Sequence, residues 1–212
     1  MRSYGQYCAL AKALDVVGDR WSLLIVRELL IRGGCRYTDL RDGLPGIATN
    51  LLADRVRHLE ECGVVRREEA PPPIAASLFH LTARGAELEA ALRALGRWGA
   101  PLLSTAPERD TFRAHWLALP AAEWLRDHSP ESPPVRLEIR MGGTSVIMLI
   151  GAGNVAYCPV VSDAPDAVLS GKRRVVLGLL AGKLDLAQAR AAGLHYQGDP
   201  QVLRRVQPLA VE

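Results

Sequence analysis

Asn50 and Arg57 stand seven residues apart, about two turns of a helix, with Thr49 and Ala53 beside them. On a wheel at about 100° per residue these four and Asp54 share one side. Ile47, Ala48, Leu51, Leu52, Val56 and Leu59 gather on the other. An amide can pair with an adenine edge, a guanidinium with guanine or a phosphate, and threonine or alanine methyls with thymine. A helix apolar on one face and carrying those groups on the other suits the major groove of DNA. The same residues also compose an ordinary amphipathic surface helix, so the flanking segments must decide. Arg55 sits within this stretch at an apolar angle, where its stem packs and its charge pairs with an acid.

The stretch begins near Ile47 or Ala48, after a Pro45-Gly46 turn, and ends at Gly63 before a short strand over 64–67. Upstream, an apolar helix over 8–17 stops at Gly18-Asp19. Asp19 is expected to N-cap a second helix over 20–31, with Trp21, Leu24, Ile25 and Leu29 as its buried stripe, ended by Gly33-Gly34. A third, short helix covers 37–42, with Arg36 and Thr38 at its entry. Downstream, strands over 64–68 and 78–81 flank a loop with Pro71, Pro72 and Pro73, too long for a tight hairpin. Thr82 then caps a helix from 83 to about 103, in which Leu88, Leu92, Leu95 and Trp98 recur at helical spacing. Four helices, strand, wing, strand, helix is a winged helix-turn-helix. The wing tip has no basic residue, so phosphate contacts fall to Arg66 and Arg67 at its base and to Arg36.

Several short motifs in this half resemble those of HxlR-type regulators, relatives of the MarR group. They are Gly18-Asp19-Arg20-Trp21 before Leu23 to Leu29, then Arg36-Tyr37-Thr38-Asp39-Leu40, Leu44-Pro45-Gly46-Ile47, and Leu59 to Val65. Leu81-Thr82-Ala83-Arg84-Gly85 and Trp98-Gly99 complete the set. The resemblance implies a homodimeric transcription regulator joined through the first and last helices of the domain. It also implies that Cys8 could sense oxidants or electrophiles. Cys8 lies near a helix N-terminus, where the dipole lowers a thiol pKa, and a plain thiol at a dimer seam is the other reading. Trp21 and Trp98 read as core and seam residues.

The second half changes character. Helices over 111–119 and 120–127 follow a polar link, and His128 to Pro134 is a second break. Residues 135–141 alternate at period two, Gly142-Gly143 makes a hairpin turn, and strands follow over 144–150, 155–161 and 166–169. Helices over 173–181 and 184–192, a strand over 194–197, and a helix capped by Asp199 and running to about Val206 complete the chain. Strands followed by helices predict an α+β layer, its mostly antiparallel sheet covered on one face. The domains expected are 1–105 for DNA binding and dimerisation, 106–132 as a helical linker, and 133–212 as a ligand-binding unit. Pro165 to Leu169, Leu179 to Lys183, Ala191 to Leu194 and Gly198-Asp199-Pro200 resemble sterol carrier protein type-two-like domains. That resemblance implies an apolar cavity for a hydrophobic ligand and brings no catalytic residue. Trp116, Trp124, Leu137, Ile139, Met148, Ile150, Leu177 and Leu180 could line it, or could equally fill a core.

The 212 residues are 49% hydrophobic and carry a net charge of +3, with a pI of about 8.8, which permits a nucleic-acid partner without requiring one. Cys8, Cys35, Cys62 and Cys158 are scattered without a CxxC, and the five histidines are dispersed. No Ser-His-Asp elbow or phosphate loop occurs. No catalytic site, metal or cofactor is expected. The polar N-terminus and short apolar runs predict a cytoplasmic protein with no membrane partner. The expected partners are a pseudo-palindromic double-stranded DNA operator, a second copy of the chain and a hydrophobic small molecule. The alternative is a carrier of a lipid or hydrophobic metabolite whose winged helix contacts other proteins.

Overall fold

The computed structural model describes residues 3–69, 77–107, 109–158 and 164–208. It divides into two compact units, Met1–Thr111 and Phe112–Glu212.

The first unit contains α1 (Ala9–Val17), α2 (Ser22–Arg32), β1 (Cys35–Arg36), α3 (Tyr37–Gly43), α4 (Thr49–Glu61), β2 (Val65–Glu69), β3 (Ser77–Leu81), α5 (Ala83–Ala86) and α6 (Leu88–Gly99). Its core joins Ile25, Val26 and Leu29 of α2 to Leu40, Leu44, Leu52, Val56 and Leu59. The winged order holds, with one strand added. β1 pairs with β3 through Cys35↔Phe79 and Arg36↔Leu78, giving a sheet of order β1-β3-β2. The proline-rich wing tip expected over 71–76 lies outside the described residues.

Two expectations change. Asp19 does not cap α2. Trp21 holds the N-cap position without a side-chain bond, and the Asp19 carboxylate pairs with Arg55 of α4. A guanidinium answers the charge of the carboxylate as well as its hydrogen-bonding capacity. The long helix over 83–103 is instead α5, α6 and a 3-10 turn, Ala100–Ser104. Thr82 caps α5 as expected, its Oγ1 accepting from the Gly85 N–H at 3.0 Å. Gly85 packs so close to the residue before β2 that a Cβ there would sit 2.1 Å from the Val64 carbonyl oxygen. Pro101, which has no N–H, stands at the start of the 3-10 turn where α6 ends.

The second unit begins with a 3-10 turn, Ala114–Leu117, and continues through α7 (Ala118–Trp124), β4 (Leu125–Asp127), β5 (Val135–Met141), β6 (Thr144–Gly151), β7 (Asn154–Cys158), β8 (Ala167–Ser170), α8 (Arg173–Leu180), α9 (Leu186–Ala191), β9 (His195–Gly198), α10 (Pro200–Arg205) and β10 (Val206–Pro208). Its five-stranded sheet has order β7-β6-β5-β8-β9, antiparallel except for the β5–β8 pair. Period-two alternation turns Leu137, Ile139, Val146, Met148, Ile150 and Leu169 to one buried face, packed with Ala121, Val176, Ala189 and Val202 from the helices. The segment expected as a linker over 106–132 does not stand apart. Ala114, Leu117, Ala121 and Leu125 belong to this core, so the division falls at Thr111/Phe112. Residues 125–127, expected to end a helix, form β4 and pair with β10. The strand expected over 155–161 is seen as β7 to Cys158, and 159–161 lie outside the described residues.

Candidate nucleic-acid interface and second-unit cavity

α4 is held by burial on one side and by its first turn. Leu52, Val56 and Leu59 are almost wholly buried, a gain of about 2 kcal/mol each over exposure. The Tyr37 hydroxyl donates to the Thr49 carbonyl at 2.6 Å and ties the start of α3 to the start of α4. Between them Leu44 is buried, the Ile47 N–H donates to its carbonyl at 3.2 Å, and Gly46 turns the chain at φ 87°. Rotation of α4 would bring its apolar stripe into water, so the opposite face stays out. That face carries Thr49, Asn50, Ala53 and Arg57, all exposed. Arg36 and Thr38 are exposed at the entry to α3, where the Arg36 N–H donates to the Asp39 carboxylate at 2.9 Å. Arg66 and Arg67 are exposed on β2.

Behind α3 a buried carboxylate braces the unit. Glu28 is fully buried and pairs with Arg27 Nη2 at 2.8 Å and Arg32 Nε at 3.2 Å. Burial lowers the Arg27 pKa, and the neighbouring Glu28 charge works against that. Arg27 also donates to the Gly43 carbonyl at 3.3 Å. A Cβ on Gly43 would lie 2.1 Å from a Glu28 carboxylate oxygen.

Most arginines of the face already have acidic neighbours. Arg57 pairs with Asp54, Arg66 with Glu68 at 2.5 Å, and Arg67 with Glu69 at 2.9 Å. The Arg66 hydrogen bond holds Glu68 below the usual carboxylate range. Arg36 has no ion pair among the described residues. A phosphate can therefore meet Arg36 directly but must exchange with a carboxylate at the other three.

The four thiols differ sharply. Cys35 is buried, and burial pushes its pKa up to about 12, which suppresses the thiolate. Cys62 is half-buried, with its sulfur 3.7 Å from His58 Nε2. Cys158 is half-buried too. Cys8 is exposed at the N-cap of α1 and accepts no capping bond through its side chain. Large apolar residues are exposed at both ends of the unit: Tyr7, Leu10 and Leu14 at α1, and Leu95, Trp98, Leu102 and Leu103 at and beyond α6. Trp98 is 76% exposed, so within one chain it is not a core residue, whereas Trp21 is half-buried.

In the second unit the structure separates the residues proposed for a cavity. Leu137, Ile139, Met148 and Ile150 fill the sheet's covered face, and Trp124 and Leu177 pack against it. Trp116 is half-buried and meets Phe112 edge-on at 6.3 Å. Of the eight, Leu180 alone lines the apolar cavity, whose volume is about 630 Å³. That cavity opens among α8, α9, β9 and α10, and its walls include Leu125, Leu179, Leu184, Leu186, Tyr196 and Leu203, with Arg190 and Arg204. Except for Leu180, these lining residues are not among those the sequence points to. The available signal was an apolar residue and an arginine one turn apart, Leu186 with Arg190 and Pro200 with Arg204. Among the described residues no group of three or more His, Cys, Asp or Glu could hold a metal, and no helix is long and apolar enough to cross a membrane.

A reading helix set on a helix-turn-helix and followed by a two-stranded wing defines the class: a winged helix-turn-helix regulator of transcription. A family model described as HxlR-like helix-turn-helix matches residues 16–106. Over 102 residues the chain is 37% identical to sll1512, an uncharacterized HTH-type transcriptional regulator of Synechocystis, covering 47% of this chain and 73% of that protein. Over 87 residues it is 33% identical to another, YvaP of Bacillus subtilis, covering 41% and 80%. The reduced form of the transcriptional regulator YodB from B. subtilis overlaps 48% of this chain and 100% of its own, at 25% identity and a TM-score of 0.41. The chain belongs to the HxlR-like helix-turn-helix family, whose members named here are transcription regulators.

Proposed function

We propose that this protein is a homodimeric, sequence-specific DNA-binding regulator whose second unit takes a hydrophobic small molecule that shifts DNA affinity. The observation that carries the reading is the division of α4. Its apolar side is locked into the core, and Thr49, Asn50, Ala53 and Arg57 are all exposed on the other side. Asn50 and Arg57 are assigned to base edges, Thr49 and Ala53 to methyl contacts, and Thr38, Arg36, Arg66 and Arg67 to phosphates. The exposed apolar residues of α1 and α6 support a dimer seam, since a patch of this kind marks an interaction surface. Exposure of Cys8 beside that seam supports a thiol through which oxidants or electrophiles would act. The layer of helices over one sheet face supports the likeness to sterol carrier-like domains, and the cavity supports a ligand. Ligand control requires that the ligand bind the two states of the dimer with different affinity.

The test is a mobility shift of the full chain on fragments recovered by genomic selection, with light scattering to measure mass. Salt-sensitive binding by a dimer is expected, at least tenfold weaker in Asn50→Ala/Arg57→Ala with the dimer intact. Trp98→Glu should yield monomers and weaken binding as well. Equal binding by the native chain and the double variant would sink the assignment of α4. The neutralised pairs Arg57–Asp54, Arg66–Glu68 and Arg67–Glu69 favour a second reading, a hydrophobic-metabolite carrier whose winged helix contacts proteins. Absence of any salt-sensitive shift would select it.

A further inference from the structure

One acid stands among the groups that α4 turns to solvent. On a wheel of about 100° per residue, Asp54 falls about 40° to one side of Asn50 and Arg57 about 20° to the other. Asp54 is therefore nearer the middle of the face than Ala53. Both side chains are exposed, and the Arg57 Nη2 group donates to Asp54 Oδ1. Neither side chain makes another hydrogen bond or ion pair among the described residues. A carboxylate accepts from several donors and a guanidinium carries several N–H groups, so each keeps capacity beyond the pair. Exposed charges one turn apart add little to the stability of a helix.

A lone carboxylate facing DNA would be repelled by the phosphates. Beside Arg57 the two charges cancel, which removes that repulsion and with it most of the attraction to phosphate. What the pair keeps is directional chemistry. Asp54 offers only acceptors. In the major groove cytosine presents its N4 amino group, whereas thymine O4 and guanine O6 and N7 are acceptors that a carboxylate rejects. Arg57 retains donors for the O6 and N7 edge of guanine. Three residues of helix rise about 4.5 Å, near the ~3.4 Å between stacked base pairs, so the two groups address neighbouring pairs. We propose that Asp54 is a specificity-determining residue that accepts from cytosine N4 in each half-site and holds Arg57 toward a guanine at the neighbouring base pair. This selection rests on reading α4 as the DNA-facing helix, and it narrows what that helix chooses.

The test is selection of bound sequences from a random pool, followed by anisotropy on the selected duplex, its single-base variants and random DNA. It compares the full native chain with Asp54→Ala, Asp54→Asn, Arg57→Ala and Asp54→Ala/Arg57→Ala. The native chain should prefer cytosine to thymine at the Asp54 position by at least about tenfold. Asp54→Ala should bring that ratio within about twofold while affinity for random DNA rises, because Arg57 is released to phosphates. Damage to the helix would lower both quantities instead. Asp54→Asn should move the preference toward adenine, whose N6 and N7 edge an amide matches. Arg57→Ala should bind the selected duplex more weakly than the double variant does, since it leaves a carboxylate unpaired against the DNA. A native motif without a cytosine next to a guanine, or a motif unchanged in both Asp54 variants, would overturn the assignment and leave α4 as the reading helix. Equal losses on selected and random DNA in both Asp54 variants would overturn it as well. No enriched motif from the native chain would remove the assignment together with the reading of α4.

Discussion

Arg36 and Asn50 sit close in sequence to the same helix-turn-helix, and their chemistry separates two kinds of contact. Arg36 is exposed, has no ion pair among the described residues, and caps α3 through its backbone N–H, not its side chain. Arg36→Ala should therefore leave the fold unchanged and weaken binding to all DNA sequences alike. The slope of log affinity against log salt should fall by about one. Fluorescence anisotropy across a salt series measures this, and an unchanged slope would move Arg36 off the interface. Arg66 and Arg67 must first leave Glu68 and Glu69. Their replacement should lower the slope by less than that of Arg36. Arg55 belongs to a different category, since its guanidinium joins α4 to Asp19.

At the level of elements, α4 depends on a brace it does not touch in sequence. Glu28 fastens α2 to the end of α3 through Arg27, whose guanidinium reaches the Gly43 carbonyl. Removing a fully buried carboxylate takes a shared acceptor from two arginines. Glu28→Ala should cost about 3 kcal/mol in urea unfolding, and Gly43→Ala should also destabilise, because the new methyl meets that carboxylate. An unchanged midpoint in both variants would remove the brace from the account. The two faces of α4 are legible in the sequence because a 3.6-residue period maps directly onto a buried and an exposed face. β1 and β10 were not, since strands of two and three residues carry no measurable period. Asp19 reads as a cap in sequence because the residue types that cap a helix are also those that pair with arginine. The difference was set by Arg55, 36 positions on in the chain.

For the molecule as a whole, two units of similar size carry separate cores, and their interiors were unequally readable. Leucines that fill a core and leucines that line a cavity look alike in sequence. The distinction depends on how the short helices α8, α9 and α10 pack, which no local pattern records. The second unit also has its own acid sensitivity. Asp127 and Arg205, both buried, pair at 2.6 and 3.0 Å, and the Asp127 carboxylate accepts from the Ser129 and Gly153 N–H groups as well. The Arg205 hydrogen bond is the main cause that holds its pKa at about 2 against an ordinary 3.8. The folded value is depressed, so this contribution is fully present above pH 3.8 and is lost as pH falls towards about 2. The stability difference between the native chain and Asp127→Asn should be large at pH 5 and shrink through that window. A constant difference would contradict the assignment.

The central claim is that two copies of α4 read DNA together, and selection of bound sequences from a random pool by the full chain tests it most directly. The account predicts an inverted repeat whose half-sites lie about 34–36 Å apart, one turn of the duplex, or a multiple of that spacing. Asn50→Ala should relax the preference at one position in each half-site and leave the rest of the motif in place. A pool with no enriched motif, or an identical motif from Asn50→Ala, would contradict it.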